Sequence, residues 1–158
     1  AAAWRTICEI GDEAALEVAL NDAFPGATVT VEETGGRFEI RFAQHGLLRP
    51  LAQSELSDGT LRYLLWIAAL LTPRPPTLMV LNEPETSLHP DLLPALGRLM
   101  KACARDTQLW VISHSPVLIE ALTEVDGCNH LELDKELSET FVHGQAMFDA
   151  PPWKWPSR

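Results

Sequence analysis

Positive charge is scarce in this sequence. Its 158 residues include 12 lysines and arginines against 22 aspartates and glutamates, which gives a formal net charge of -10 and a pI near 4.8. A basic surface supplies most of the non-specific affinity of proteins for nucleic acids, and this composition offers none. If the chain meets DNA, we expect another surface or another segment to hold it.

Cysteines and long apolar runs are also few. The three cysteines, Cys8, Cys103 and Cys128, are odd in number and form no CxxC pair, which favours reduced thiols and indicates no redox or zinc motif. The longest apolar run, Leu64 to Leu71, is far shorter than the roughly 20 residues of a membrane-spanning helix. These two features predict a soluble, cytoplasmic protein. The length of 158 residues and the 46% of hydrophobic residues predict one core, so that residues 1–158 form a single domain.

Residues 1–53 predict a helix followed by a β-hairpin. The stretch from Gly11 to Asp22 carries apolar residues at helical spacing, and the Phe-Pro-Gly that follows ends the helix. From Ala27 to Phe42, apolar residues alternate on both sides of Gly35-Gly36, which readily supplies the positive φ angles of a tight turn.

Residues 54–122 predict alternating helices and apolar strands. The predicted elements are a helix at about 57–71, a strand at 77–81, a helix at 90–104, a strand at 108–112 and a short helix at about 116–122. Residues 123–158 then hold an antiparallel-looking segment, His130 to Gly144, and a tail rich in Trp and Pro. Uninterrupted apolar strands between helices indicate an α/β fold with a mostly parallel sheet covered on both faces.

Two of the predicted strands end in residues that can do chemistry. Asn82 and Glu83 follow the first strand, and Ser113 and His114 follow the second. Ligands of open parallel sheets bind beyond the carboxyl ends of the strands, so Glu83 and His114 face one crevice if the strands are neighbours. Glu83 would then be a candidate general base, and His114 a hydrogen-bonding group for an anion. The alternative is that these polar residues only mark where the chain meets water.

The start of the helix at Ser57 is a second candidate site. Ser57 is a good N-cap, Asp58 suits the first turn, and Gly59 leaves the backbone bare where the helix presents unpaired N–H groups, with Thr60 next. Such a helix end binds phosphate readily. The same residues are also ordinary capping chemistry, so this segment by itself decides nothing.

In this order and spacing, the segments resemble the C-terminal lobe of an ATP-binding-cassette ATPase head. The resemblance covers residues 54–122 and is to the soluble branch of RecF- and SMC-like proteins and bacterial predicted ATPases. In that branch "LSDGT" is similar to the signature motif and "LMVLNEPE" to the Walker B strand, while "SLHP" matches the D-loop and "VISHS" the switch histidine. The resemblance implies a P-loop NTPase-type sheet, of which this chain holds a part.

The same resemblance implies roles for named residues. Glu83 would polarise the water that attacks the γ-phosphate of ATP, and His114 would contact that phosphate. The segment Ser57, Asp58, Gly59 and Thr60 would bind the γ-phosphate of ATP held by a second head, and Ser87 in the D-loop would lie at the dimer interface. The implied cofactors are ATP and Mg²⁺, and the implied assembly is a head-to-tail homodimer that acts on DNA or a DNA-associated protein through other segments.

The sequence departs from the family pattern at two points. Asn82 stands where the family usually has an aspartate that orients Mg²⁺ through its water shell, so an oxygen acceptor remains but its charge is lost. A phosphate-binding GxxxxGK[ST] loop is absent, because none of the three lysines follows a glycine. We therefore expect an N-terminal lobe carrying that loop to be a partner, and the isolated chain to be inactive.

Two other function classes stay open. The chain could be a non-catalytic, nucleotide-dependent interaction module, since Asn82 and the missing loop both fit lost hydrolysis. It could also be a metal-dependent hydrolase with ligands among Glu83, His89, Asp91 and His114, although their spacing fits no zinc pattern and His89 before Pro90 suits a structural role. The tail residues Trp153 to Trp155 could stack on a base or pack on the domain.

Overall fold

The computed structural model describes residues 1–124, 127–136 and 139–143, and the chain divides into two compact units, residues 1–125 and 126–158. Both helices and strands lie in the first unit, and a strand pair lies in the second. The helices are α1 (Ala2–Ile10), α2 (Glu13–Ala23), α3 (Asp58–Leu70), α4 (Leu93–Cys103) and α5 (Pro116–Thr123). The strands are β1 (Thr28–Thr34), β2 (Arg37–Ala43), β3 (Leu51–Ala52), β4 (Leu78–Asn82), β5 (Gln108–Ile112), β6 (Leu133–Glu136) and β7 (Glu139–Val142).

Two helices precede the hairpin where the sequence predicted one. The predicted helix is α2, which begins after Asp12, whose carboxylate accepts a hydrogen bond from the Ala15 amide at 2.9 Å. The additional helix is α1. Its N-cap residue, Ala1, provides no side-chain hydrogen bond. The helix is stabilised instead by Trp4 and Ile7, one turn apart, which are 1% and 0% exposed in the core.

The predicted hairpin is confirmed. Strands β1 and β2 pair antiparallel with Thr34 opposite Arg37, and Gly35 and Gly36 between them have φ angles of 60° and 76°. Only glycine adopts two such values in succession without steric cost, which makes this turn local in origin. The short strand β3, which the sequence did not predict, extends this sheet to the order β1-β2-β3.

The second sheet of this unit is the parallel pair β4 and β5, in register from Leu78 opposite Gln108 to Asn82 opposite Ile112. Both strands and the helices around them confirm the α/β fold. Leu81 is buried in the core together with Leu96 of α4 and Leu118 of α5. The helices α3, α4 and α5 differ from their predicted bounds only at their ends. At α4, the difference is a 3₁₀ turn (Pro90–Leu92) that precedes the helix.

Burial of both faces of this sheet is not observed. The apolar side chains of the opposite face are 40–59% exposed, because the described helices pack their buried residues on the Leu81 side. The uninterrupted apolar sequence of each strand therefore suggests that all of its side chains are buried, although half of them face outward. These exposed residues are Leu78, Val80, Trp110 and Ile112.

The second unit contains the antiparallel pair β6 and β7, with Leu133 opposite Val142. This pair confirms the antiparallel segment predicted between His130 and Gly144. The Trp- and Pro-rich tail lies outside the described residues. Among the helices that the structure describes, none has the length and apolar character needed to cross a membrane.

Candidate functional site

Parallel pairing of β4 and β5 brings the two predicted strand ends together. The Glu83 amide continues the ladder beyond β4 by donating to the carbonyl of Ile112 at 2.8 Å. Nε2 of His114 lies 3.8 Å from Oε1 of Glu83, and both side chains are accessible, with exposures of 82% and 48%. The distance exceeds that of a hydrogen bond, but a carboxylate and an imidazole this close can act on one bound group.

The backbone at this edge has an unusual conformation. Among the described residues, Glu83 and Ser87 are the non-glycine residues with positive φ, at 46° and 65°. This left-handed conformation is costly for side-chain-bearing residues and is concentrated at functional sites. Thr86 helps to hold the turn, since its amide donates to the Glu83 carbonyl at 3.1 Å and its hydroxyl donates to the Glu83 carboxylate at 3.4 Å.

The start of α3 has the capping geometry that the sequence predicts. Oγ of Ser57 accepts a hydrogen bond from the Thr60 amide at 3.1 Å and lies 2.8 Å from the Thr60 hydroxyl. Asp58 occupies the first turn, with its carboxylate 3.9 Å from the Arg62 guanidinium. Ser57 and Asp58 are exposed, so the helix end and its partial positive charge remain open to an approaching anion.

Two contacts join this helix to the turn after β4. A Cβ atom at Gly59 would lie 2.9 Å from the carbonyl oxygen of Ser87, so the two backbones touch and leave no room for a side chain. Farther along α3, Nε1 of Trp66 donates to the Pro84 carbonyl at 3.0 Å. The structure thus brings the Ser57 segment, Ser87 and the Glu83 turn into one connected region.

Glu85 is a member of this region that sequence reasoning missed. Its Oε1 atom accepts hydrogen bonds from Ser113 Oγ at 2.6 Å, from the His114 amide at 2.9 Å and from the Ser115 amide at 3.2 Å. Burial opposes ionisation, but these hydrogen bonds outweigh it, so that the pKa of the Glu85 carboxyl lies below its usual value. The sequence pattern that could have indicated this contact is a second carboxylate two residues after Glu83, together with a serine on each side of His114.

Asn82 and His89 occupy the remaining predicted positions. Asn82 is the exposed last residue of β4, opposite Ile112. His89 caps the 3₁₀ turn before α4, where its Nδ1 accepts from the Asp91 amide at 3.3 Å and lies 3.4 Å from the Asp91 carboxylate. A capping role explains this histidine without a ligand.

The alternative metal site is not formed. It required Glu83, His89, Asp91 and His114 to converge, yet in the described part of the chain no three His, Cys, Asp or Glu side chains are grouped so that they could hold a metal ion. Glu83 and His114 meet at the strand ends, whereas His89 and Asp91 pair with each other at the start of the next helical segment.

Residues 11–120, more than half of the chain, match a family model described as "AAA domain, putative AbiEii toxin, Type IV TA system". The chain belongs to this AAA domain family. The match includes every residue of the site described above. No curated protein matches the chain significantly.

This AAA domain is similar in fold to heads of SMC ATPases. One similar structure comes from work on ATP-driven dimerization and DNA-stimulated activation of SMC ATPases, with a TM-score of 0.66, 14% identity and coverage of 87% of this chain and 84% of that chain. An SMC head bound to the C-winged helix domain of ScpA gives a TM-score of 0.69 at 14% identity, covering 88% and 43%. The SMC head domain from Thermotoga maritima gives 0.58 at 20% identity, covering 89% and 49%.

At these identities the similarity shows a shared fold, and the chain spans less than half of the length of the two latter structures. Together with the family match, it confirms the resemblance inferred from the motifs. The chain is thus an AAA-family domain with the fold of an SMC ATPase head. Its family relationship implies the use of a nucleotide.

Proposed function

We propose that this chain is the C-terminal lobe of a dimerising ABC-type ATPase head that binds and hydrolyses ATP. The observation that carries the proposal is the meeting of Glu83 and His114 at the carboxyl ends of two paired parallel strands. The position of this pair also supports the proposal, because ligands of open parallel sheets bind at such an edge. The contact of Gly59 with Ser87 places the capped helix end in the same region.

Glu83 and His114 act on the ATP bound at this lobe. The Glu83 carboxylate orients and polarises the attacking water, and His114 donates a hydrogen bond to the γ-phosphate. Both side chains are exposed, which leaves them free to meet a nucleotide brought by another segment. Phosphoryl transfer of this kind depends mainly on positioning and on stabilising charge, which two fixed polar groups can provide.

The Ser57 to Thr60 segment serves a different ATP molecule, the one held by a second head. Its N–H groups and the Ser57 hydroxyl bind the γ-phosphate, and Ser87 crosses the interface beside it. The proposed assembly is therefore a head-to-tail homodimer with ATP between the heads. Among the proteins of similar fold, one was studied for ATP-driven dimerization and another was bound to ScpA, which supports a partner-binding role.

Mg²⁺ fits the oxygen-bearing groups at the end of β4. The amide oxygen of Asn82 can accept a hydrogen bond from the water shell of the ion, and the remaining ligands would come from the phosphates, as is usual for Mg²⁺ in nucleotide sites. When bound, the ion neutralises phosphate charge. Because Asn82 lacks the charge of an aspartate, we expect slow turnover.

The proposed head also contains an N-terminal lobe, which carries the phosphate loop that this sequence lacks. DNA or a DNA-associated protein is proposed as the object of the ATPase, contacted through other segments. A non-catalytic, nucleotide-dependent interaction module is the second candidate, and Asn82 is the feature that favours it. Both candidates use ATP, and they differ in whether Glu83 reacts.

The deciding experiment measures Mg²⁺-dependent ATP hydrolysis by this chain together with the segment that carries the phosphate loop. Glu83→Gln keeps the size of the side chain and removes its basicity, so we expect the rate to fall by about 10²–10⁴-fold, the usual contribution of a general base. ATP-dependent dimerisation, followed by light scattering, should persist in that variant.

Glu32→Gln is the matched control, because Glu32 pairs with Arg41 on the hairpin and lies in a different sheet. It should leave the rate unchanged. Equal rates for the wild type and Glu83→Gln would eliminate Glu83 as the base. ATP binding and dimerisation without any hydrolysis would establish the interaction module instead.

A further inference from the structure

The carboxylate of Glu85 joins the two strand ends. Three consecutive residues after β5, Ser113 to Ser115, direct their donors to its single Oε1 atom at distances of 2.6 to 3.2 Å. Glu85 lies 28 to 30 residues from them in sequence, so this is a tertiary contact between the turn after β4 and the loop after β5. Ionised acceptors make shorter and stronger hydrogen bonds than neutral ones.

The arrangement is specific rather than incidental. The second oxygen, Oε2, is buried and has no hydrogen-bond partner among the described residues, which carries an energetic cost. A glutamate side chain that turned outward into water would avoid that cost. The three donors on Oε1 therefore compensate for a side chain that is held inward.

The position of this contact bears directly on the Glu83 and His114 pair. The backbone amide of His114 donates to Glu85, while its ring faces the carboxylate of Glu83 at 3.8 Å. In the turn after β4, Glu83 lies two residues before Glu85 and has a left-handed backbone with a φ of 46°. Releasing Glu85 would free both the backbone that carries the imidazole and the turn that carries Glu83.

We propose that Glu85 is a positioning residue that sets the separation of Glu83 and His114 by hydrogen-bonding the loop after β5 through Oε1. This inference rests on the proposed function for its catalytic consequence. Its geometric part applies to the chain alone. Glu85 itself contacts neither nucleotide nor water in the reaction.

The geometric part is tested by NMR of the isotope-labelled chain. In the wild type, the amide proton signals of His114 and Ser115 should move together as Glu85 titrates, at a midpoint below the usual glutamate range. Glu85→Gln should abolish that step, whereas Glu32→Gln should preserve it. A step of unchanged size and midpoint in Glu85→Gln would show that Glu85 is not the group that moves these signals and would overturn the contact.

A double-mutant cycle separates positioning from simple stabilisation. Glu83→Gln should shift the ring signals of His114, because the two groups are adjacent. In combination with Glu85→Gln, the same change should have a much smaller effect, since the separation is no longer held. An unchanged effect in a folded double variant would mean that Glu85 contributes stability alone.

The catalytic consequence is tested with the phosphate-loop segment present. Glu85→Gln should lower kcat by about ten- to a hundredfold, as small displacements of reacting groups do, and change the KM for ATP by no more than about twofold. Glu85→Asp retains the charge but is one methylene shorter, so it should not rescue kcat. Rescue by Asp, or an unchanged kcat in Glu85→Gln, would refute positioning.

The two proposals fail in different ways. Hydrolysis that is absent in the wild type, or indifferent to Glu83→Gln, contradicts the proposed function and leaves the NMR cycle to decide the role of Glu85. Hydrolysis that depends on Glu83 but not on Glu85 contradicts only the positioning role.

Discussion

At the scale of single residues, the region around Glu83 combines strained and constrained positions. Glu83 and Ser87 keep left-handed backbones that glycine would adopt more easily; the proposed function assigns Glu83 to the reaction and Ser87 to the dimer interface. Gly59 is constrained by the space around it rather than by its backbone conformation. The sequence suggests that glycine here exposes the backbone to phosphate, and the structure adds a steric reason, since any side chain would meet the carbonyl of Ser87 at 2.9 Å.

Gly59→Ala is therefore expected to destabilise the chain although alanine is the better helix former. The gain in helix propensity is at most about 1 kcal/mol, whereas forcing a methyl group against fixed backbone costs about 1–3 kcal/mol. Urea denaturation followed by circular dichroism measures the difference. Ala69→Gly, at an exposed position of the same helix, is the control and should cost about 1 kcal/mol by propensity alone. Stabilisation by Gly59→Ala would show that α3 and Ser87 do not touch.

At the scale of elements, β4 shows how one strand serves two environments. Leu81 is 7% exposed and packs into the helical side of the sheet, whereas Leu78 and Val80 are 40% and 56% exposed. Alternation of this kind follows from the period of two in a strand, but an all-apolar sequence conceals which face is buried. The strand ends were predictable, because they depend only on where the apolar run stops.

The two leucines of β4 provide a matched test of this asymmetry. Leu81→Ala should lower the free energy of unfolding by about 2–5 kcal/mol through lost burial and the cavity that remains. Leu78→Ala removes the same atoms from a partly exposed site and should cost less than about 1 kcal/mol. Equal losses in chemical denaturation would mean that both faces of the sheet are covered in solution.

At the scale of the whole molecule, charge and motif content limit what the chain does by itself. A net charge of -10 repels a nucleotide, and the sequence contains no glycine-rich loop with a lysine to offset that repulsion. In the proposed head, Glu83, His114 and the Ser57 segment supply groups for the γ-phosphate alone. The remaining phosphates and the base need other contacts, which we assign to the N-terminal lobe of the proposed head.

The isolated chain should accordingly bind ATP weakly or not at all. Isothermal titration calorimetry with Mg²⁺ should give no micromolar affinity for the chain alone, and measurable affinity once the phosphate-loop segment is added. Micromolar binding by the chain alone would mean that it contains a complete nucleotide site, and the proposed division into two lobes would be wrong.

The sequence by itself determined the features that depend on neighbouring residues. The Gly35-Gly36 turn, the Ser57 cap and the ends of β4 and β5 are local, because φ preference, capping and apolar run length are set within a few positions. From those ends, one rule about parallel sheets predicted that Glu83 and His114 face one crevice if the two strands are neighbours, and the pairing of β4 with β5 meets that condition.

Only the tertiary structure decided the contacts between distant segments. Glu85 reaches residues 28 to 30 positions away, Trp66 donates to a carbonyl 18 positions away, and Gly59 touches Ser87 through the backbone. Helix α1 likewise lacks a local cap and is held by burial of Trp4. No local pattern encodes such contacts, because their free energy arises when the folded chain brings separate segments together and removes them from water.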